Sequence, residues 1–259
     1  MRRRRLRVVV VGTGRAAGSL LASLRRARIA ARGMSGRGAV VAVDDADLVL
    51  VAVADGAIPA VAAALRTAGT PLVAHVAGSL GLDALGGHRR RGGFHPLASL
   101  DGQTPVPVGC LCACDADTDD DFHLLEDLAR RLRLAPARVR DADRARYHVA
   151  AVIAGNLATG LLQLGVEELQ RIGIDGDVAR QALGRLLLST AARAMSAPLA
   201  AALTGPVARG DVDTVARHLA VLDDDTARVV YQQLTRVLVE RVRPPGAAGR
   251  DWRLDGGSR

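Results

Sequence analysis

Leu6-Arg-Val-Val-Val-Val-Gly12-Thr-Gly14-Arg-Ala-Ala17-Gly18 follows a short run of arginines and decides how the rest of the chain is read. A β-branched run stops at two glycines, and a helical pattern through Leu20, Leu21 and Leu24 follows, so the order is strand, glycine turn, helix. Gly12-x-Gly14-x-x-Ala17 at that junction fits the dinucleotide-binding fingerprint in its alanine-ended form. Gly12 permits the tight turn, and Gly14 lets the backbone approach a pyrophosphate. A small residue at Ala17 or Gly18 lets helix and strand pack closely. Thr13, Arg15 and Ala16 complete a loop whose N–H groups, at the start of a helix, face phosphate.

Outward from this loop the same alternation continues. Leu48 to Val53 is a second buried-strand run, followed by Ala54-Asp55-Gly56 and a helix from Ile58 to Leu65. Leu72 to Val76 is a third, closed by Ala77-Gly78-Ser79. Strands alternating with helices predict a parallel sheet with right-handed crossovers. A cofactor would lie across the C-terminal strand ends, which puts Val53, Ala54, Asp55, His75, Gly78 and Ser79 along its path. About 20 residues past the glycines, where an NAD-preferring site places an acid, the chain reads Arg32-Gly-Met34-Ser35-Gly-Arg37. Ser35 and Arg37 suit a 2'-phosphate better, so NADP is favoured and NAD stays open.

Val108 to Ala113 is read as a further strand and Phe122 to Leu132 as a helix. The alternation is expected to stop around Ala135 to Arg140. Helical patterns then cover 144–171, 177–196, 198–203, 211–221 and 224–242. The expected organisation is a nucleotide domain over 1–140, a helical domain over 141–245, and a disordered tail over 246–259, after the prolines at 244 and 245.

The 259 residues are 49% hydrophobic and 24% charged, enough for one or two globular domains and too apolar for a disordered chain. All 35 basic residues are arginine, which excludes any Schiff-base, P-loop or proton-donating lysine. The net charge of +8 raises the question of nucleic acid, but the arginines are interleaved with acids along helices and only 2% of residues are aromatic. No nucleic-acid partner is expected. Cys110, Cys112 and Cys114 alternate on one strand face, read as reduced thiols of a cytoplasmic protein rather than a metal cluster. Tyr147 to Val166 lacks any charged residue until its end and approaches the length of a membrane span. His148, Asn156, Thr159 and Gln163 interrupt it, so a buried central helix is expected and no membrane.

Three further stretches carry candidate chemistry. In Gly93-Phe94-His95-Pro96-Leu97 a loop histidine is held by the following proline. In Tyr147-His148 through Asn156, positions 148, 152 and 156 share one helix face. In Leu203-Thr204-Gly205-Pro206-Val207-Ala208-Arg209-Gly210-Asp211, Arg209 could grip a carboxylate through its fork, and Asp211 caps the next helix.

Together with the glycine loop and His75 to Ser79, the HPL, YHxAAxxxxN and LTGPxxRGD segments resemble the Rossmann-like proteins with a DUF2520 C-terminal domain, over roughly residues 6 to 242. That family resembles the 6-phosphogluconate dehydrogenase-like reductases, including ketopantoate and pyrroline-5-carboxylate reductases. The resemblance implies an α/β Rossmann sheet followed by an all-helical domain, a homodimer, and hydride transfer from NADPH to a small carbonyl such as a 2-keto acid. An imine reductase and a non-catalytic dinucleotide-binding regulator are its alternatives. Related dehydrogenases carry a proton-donating lysine four residues before an asparagine. If Asn156 is that asparagine, the lysine position is Val152. The proton then falls to His148, His95 or water, with Asn156 orienting the carbonyl or the nicotinamide amide, and Ser79, Thr204 and Arg209 on the substrate side.

Overall fold

The computed structural model describes residues 6–38, 40–242, Trp252 and Leu254. The arginines at 2–5 and most of the expected tail lie outside these residues. Leu254, within the tail, is buried with Val207 and Val215.

An N-terminal Rossmann-like sheet is followed by a mostly helical region, as the sequence implied. Seven strands run in the spatial order β2 (Ala30–Met34), β1 (Arg7–Val11), β4 (Leu48–Val51), β6 (Leu72–His75), β7 (Arg91–Pro96), β8 (Leu111–Ala116) and β9 (Ala135–Arg138). All neighbours are parallel except β7 and β8, so the sheet is mixed where a purely parallel one was expected. The chain leaves β1 for β2 on one side and later for β4 on the other. The glycine loop therefore sits at the switch in strand order, where ligands bind such sheets. β3 (Val41–Val43) and β5 (Leu65–Thr67) pair apart from the main sheet.

Both faces of the central strands are covered, which is why they are unbroken apolar runs. On β1, Val8 and Val10 pack with Leu20 and Leu24 of α1 (Arg15–Arg26) and Leu125 and Leu128 of α3 (Asp119–Arg131). Val9 and Val11 pack instead with Ile58 and Val61 of α2 (Ile58–Ala64). Thr118 caps α3 by accepting from the Asp121 N–H, so this helix starts earlier than its apolar pattern suggested. β9 was not expected. It is an edge strand with Pro136 and no fully buried residue, and so has no buried-strand signature.

The chain divides into two compact units, residues 1–156 and 157–259. The first ends with α4 (Asp141–Ala154). The second contains α5 (Asn156–Arg171) from Leu157 on, α6 (Gly176–Ser196), α7 (Leu199–Ala202), α8 (Gly205–Arg209), α9 (Val212–Val221) and α10 (Asp225–Val237). Asp175, Asp211 and Asp224 accept N–H bonds at the starts of α6, α9 and α10.

The expectation of a buried central helix is corrected. The segment Asp141–Arg171 is long and apolar enough to cross a membrane, yet only 6% of its most apolar window is buried. Val149, Ile153, Leu157 and Leu161 are all exposed. The segment is also broken, because α4 ends at Gly155 (φ −103°, ψ −80°). Positions 148 and 156 therefore do not share one continuous helix face.

Candidate functional site

The glycine loop is built as its sequence requires. Gly12 has φ +144°, and a Cβ there would lie 2.1 Å from the Ala52 carbonyl oxygen, so only glycine fits. Its N–H donates to Met34 O at 2.8 Å, which ties the ends of β1 and β2 together. Gly14 is the first flanking residue of α1 and has open space where its Cβ would stand. Unlike α3, α6, α9 and α10, this helix start has no side-chain cap and no acid in its first turn. Its N–H groups and positive dipole end are left to an anion. A groove of about 400 Å³ opens there, lined by Gly12, Thr13, Ala17, Gly18, Leu21, Gly33, Met34 and Ser35. The glycines of the loop and the uncapped helix start fit a dinucleotide pyrophosphate.

Ala17 is buried against the sheet as expected, but Gly18 is small for another reason. A Cβ on it would lie 2.2 Å from Gly102 O, because the loop over 101–106 lies across α1. Ser19 Oγ accepts from the Gly102 N–H and Ser23 Oγ from the Val106 N–H, fixing that loop. At the end of β2, Ser35 Oγ accepts from the Arg37 N–H, and both residues are exposed. Arg32 turns away to the Asp44 carbonyl.

Further along the strand ends, Val53 packs near Gly36, Ala54 is extended, and Asp55 opens a short 3-10 turn. Ser79 Oγ donates to Asp55 Oδ2 at 3.2 Å, linking the rims of β4 and β6. Val11, Val51, His75 and Gly93 are in register across four strands. His75 is therefore fully buried inside the sheet, its Nε2 facing the Gly81 carbonyl at 3.1 Å. Burial, then the charge of Arg144, lowers its pKa to about 4, so it is neutral at pH 7.

His95 is corrected from loop to strand, as the next-to-last residue of β7. The pattern was hidden by Gly92 and Gly93, which are glycine for packing reasons. A Cβ on Gly92 would lie 2.8 Å from Leu125, and one on Gly93 2.1 Å from Arg144 Nη2. Arg144 lies in that space and is 1% exposed. Its Nε donates to Asp141 Oδ1 at 3.3 Å and its Nη1 to Ala77 O at 3.4 Å, while Asp141 Oδ2 accepts from the Leu82 N–H. These bonds seat α4 on the strand ends. Arg144 was missed from the sequence, although it stands four residues before His148, on the same helix face.

Tyr147 and His148 then reach the rim. His95 Nδ1 is 2.7 Å from Tyr147 Oη, the rings meeting edge to face. A Cβ on Gly78 would lie 3.0 Å from His95 Nε2 and 2.9 Å from His148 Nδ1, so both imidazoles converge over this glycine. Burial, then His148 and Arg144, lowers the His95 pKa to about 4. Burial raises that of Tyr147 above its ordinary 10. Among the described residues, His148 Nδ1, His75 Nδ1 and Arg144 Nη2 are buried without a hydrogen-bond partner. Asn156 is exposed at the start of α5. Thr204 precedes α8 and Arg209 ends it, in the second unit.

These elements define a Rossmann-type α/β protein with a helical second unit. Residues 110–238 match the family profile described as Domain of unknown function (DUF2520). Its fold is shared with a Bacteroides fragilis protein described as an NADP oxidoreductase (24% identity, TM-score 0.71, covering 91% of this chain and 98% of that one). A Thermotoga maritima protein is similar too (22% identity, TM-score 0.69, 89% and 96%). So is 1-pyrroline-5-carboxylate reductase from Streptococcus pyogenes (10% identity, TM-score 0.60, 90% and 98%). The fold is thus one used by NAD(P)-binding oxidoreductases. No curated protein sequence matches the chain.

Proposed function

We propose that the chain is an NADP-dependent reductase of a small carbonyl compound, with 2-keto acids such as ketopantoate as the first class to test. One observation carries this reading: along the C-terminal ends of a single sheet, a bare glycine cradle is followed by a rim on which two imidazoles converge over Gly78. Bound NADPH supplies the hydride. Gly12, Thr13, Gly14, Arg15, Ala16 and Ala17 would hold its pyrophosphate, Ser35 and Arg37 its 2'-phosphate, and Val53, Ala54, Asp55 and Gly78 would line the rest of its path. Lacking lysine, the chain relies on His148 to donate the proton to the developing alkoxide, and water restores it. Ser79 contacts substrate at the rim.

The exposed Leu157, Leu161, Leu186 and Leu188 of the second unit are read as the seam of a homodimer. A bilayer suits the apolar span at 141–171 less well, because α4 begins with Asp141, Asp143 and Arg144 and is seated on the sheet by hydrogen bonds. The three free thiols, Cys110, Cys112 and Cys114, fit a cytoplasmic setting.

The test is oxidation of NADPH followed by absorbance, with ketopantoate first and pyrroline-5-carboxylate second, beside calorimetric titration of NADPH and NADH. Turnover of ketopantoate supports the reading, and turnover of the imine alone makes the chain an imine reductase. NADPH binding without turnover of any carbonyl makes it a regulator, and no binding removes the reading altogether. His148→Ala is expected to lower turnover about 100-fold. Unchanged turnover would exclude it as the donor.

A further inference from the structure

We propose that Tyr147 sets the tautomer of His95, its hydroxyl donating to Nδ1, so that His95 presents a neutral Nε2–H over Gly78 as a hydrogen-bond donor to a substrate's carbonyl oxygen or imine nitrogen. This deepens the reductase reading and rests on it for the identity of the acceptor.

The geometry allows two arrangements of one proton at the 2.7 Å contact: Oη–H to Nδ1, or Nδ1–H to Oη. A phenol is a strong donor and a weak acceptor, whereas the bare nitrogen of a neutral imidazole is a strong acceptor. The second arrangement would leave the half-buried Tyr147 proton needing another acceptor, and His95 is the hydroxyl's one hydrogen-bond partner among the described residues. In the first, the bond is made and both rings stay neutral.

The surroundings enforce that neutrality. His95 is faced by Tyr147, His148 and Arg144 from α4, by His75 from β6 and by Asp55 from the turn after β4. Burial and the nearby Arg144 guanidinium outweigh the single carboxylate, which holds His95 near 4, and burial keeps the Tyr147 phenol protonated. An imidazole in this state cannot act as a cationic acid at pH 7. It polarises an acceptor and keeps its proton, as a preorganised donor aimed where negative charge develops. His148 remains the group that gives the proton. Tyr147 is a positioning residue and His95 the group that touches substrate. One feature points to a ligand atom beside these rings: His148 Nδ1 is buried and lacks a protein partner. The missing side chain at Gly78 is what lets both imidazoles come this close to the backbone.

Nitrogen-15 NMR of the histidine-labelled full chain at pH 7 tests the assignment without any need for turnover. The His95 signals are identified by their loss in His95→Gln. We expect Nδ1 as a bare acceptor nitrogen and Nε2 protonated in the wild type, and a mixture of tautomers in Tyr147→Phe. With an active carbonyl substrate, Tyr147→Phe is expected to lower kcat about tenfold, move the acid limb of its pH profile to higher pH and leave NADPH affinity unchanged. A proton on Nδ1, an imidazolium at pH 7, or an unchanged tautomer in Tyr147→Phe would overturn the proposal. The expected tautomers together with no turnover of any carbonyl or imine would support the role of Tyr147 and sink the reductase reading.

Discussion

The two units solve the burial problem differently. In residues 1–156 two apolar clusters, of 22 and 14 buried residues, sandwich the sheet. In the helical unit a single cluster of three buried residues, Val207, Val215 and Leu254, is found among the described residues. Ile172, Leu188 and Met195 are 73%, 73% and 86% exposed. Helices of this kind draw most of their stability from packing an apolar face, so the first unit is held by a large core of its own while the second leaves much of its apolar surface exposed. The comparison teaches where function can reside. The glycine cradle and the His95–Tyr147–His148 group stand on the self-sufficient unit, whose strands hold their register without help.

The largest effect expected is from the core of the first unit. Leu50→Ala, at a fully buried position, should cost about 2–5 kcal/mol in urea denaturation. Leu188→Ala should cost less than about 0.5 kcal/mol in dilute monomer, and Leu188→Asp should shift light scattering toward monomer. Equal costs at the two positions would erase the contrast. Next, Gly12→Ala should weaken NADPH binding by about 100-fold in calorimetry, since its methyl would meet the Ala52 carbonyl at a left-handed φ. The same change should leave the circular dichroism of the helical unit intact.

Acid should then act through the first unit. His75 and His95 bind a proton at about 4 when folded, against 6.5 in the unfolded chain, so the unfolded state takes up protons first as pH falls. Stability is complete above pH 6.5, declines between 6.5 and about 4, and levels off below for these two groups. The loss is on the order of 1–3 kcal/mol per histidine, measured as urea midpoints across that range. A flat profile would mean that the imidazoles are solvated. The smallest effect belongs to the helical unit. Asp211→Ala removes the bond from the Thr214 N–H at the start of α9 and should cost about 1 kcal/mol, read from thermal melts.

Much of the first unit was legible because its signals are local. A β-branched run such as Val8 to Val11 is buried on both faces, and Gly12 is demanded by its own backbone angle, so neither needs distant residues to be recognised. The strand at Arg91–Pro96 was not legible, because Gly92 and Gly93 carry low strand propensity and owe their identity to Leu125 and Arg144, which are distant in sequence. Gly18 was read as a helix–strand contact and serves the loop at Gly102 instead. Arg144 gave no signal in a chain holding 35 arginines, since only burial sets it apart.

By itself, then, the sequence determined the α/β order, the glycine cradle at the switch point and the absence of lysine chemistry, all of which follow from local periodicity, backbone sterics and composition. Tertiary structure alone decided that His75 is sealed inside the sheet, that His95 lies on a strand facing Tyr147, and that the apolar span at 141–171 is exposed. The physical reason is that burial, and the neutrality it imposes on an imidazole, depends on which distant segments come to lie beside it, and no spacing along one chain encodes that.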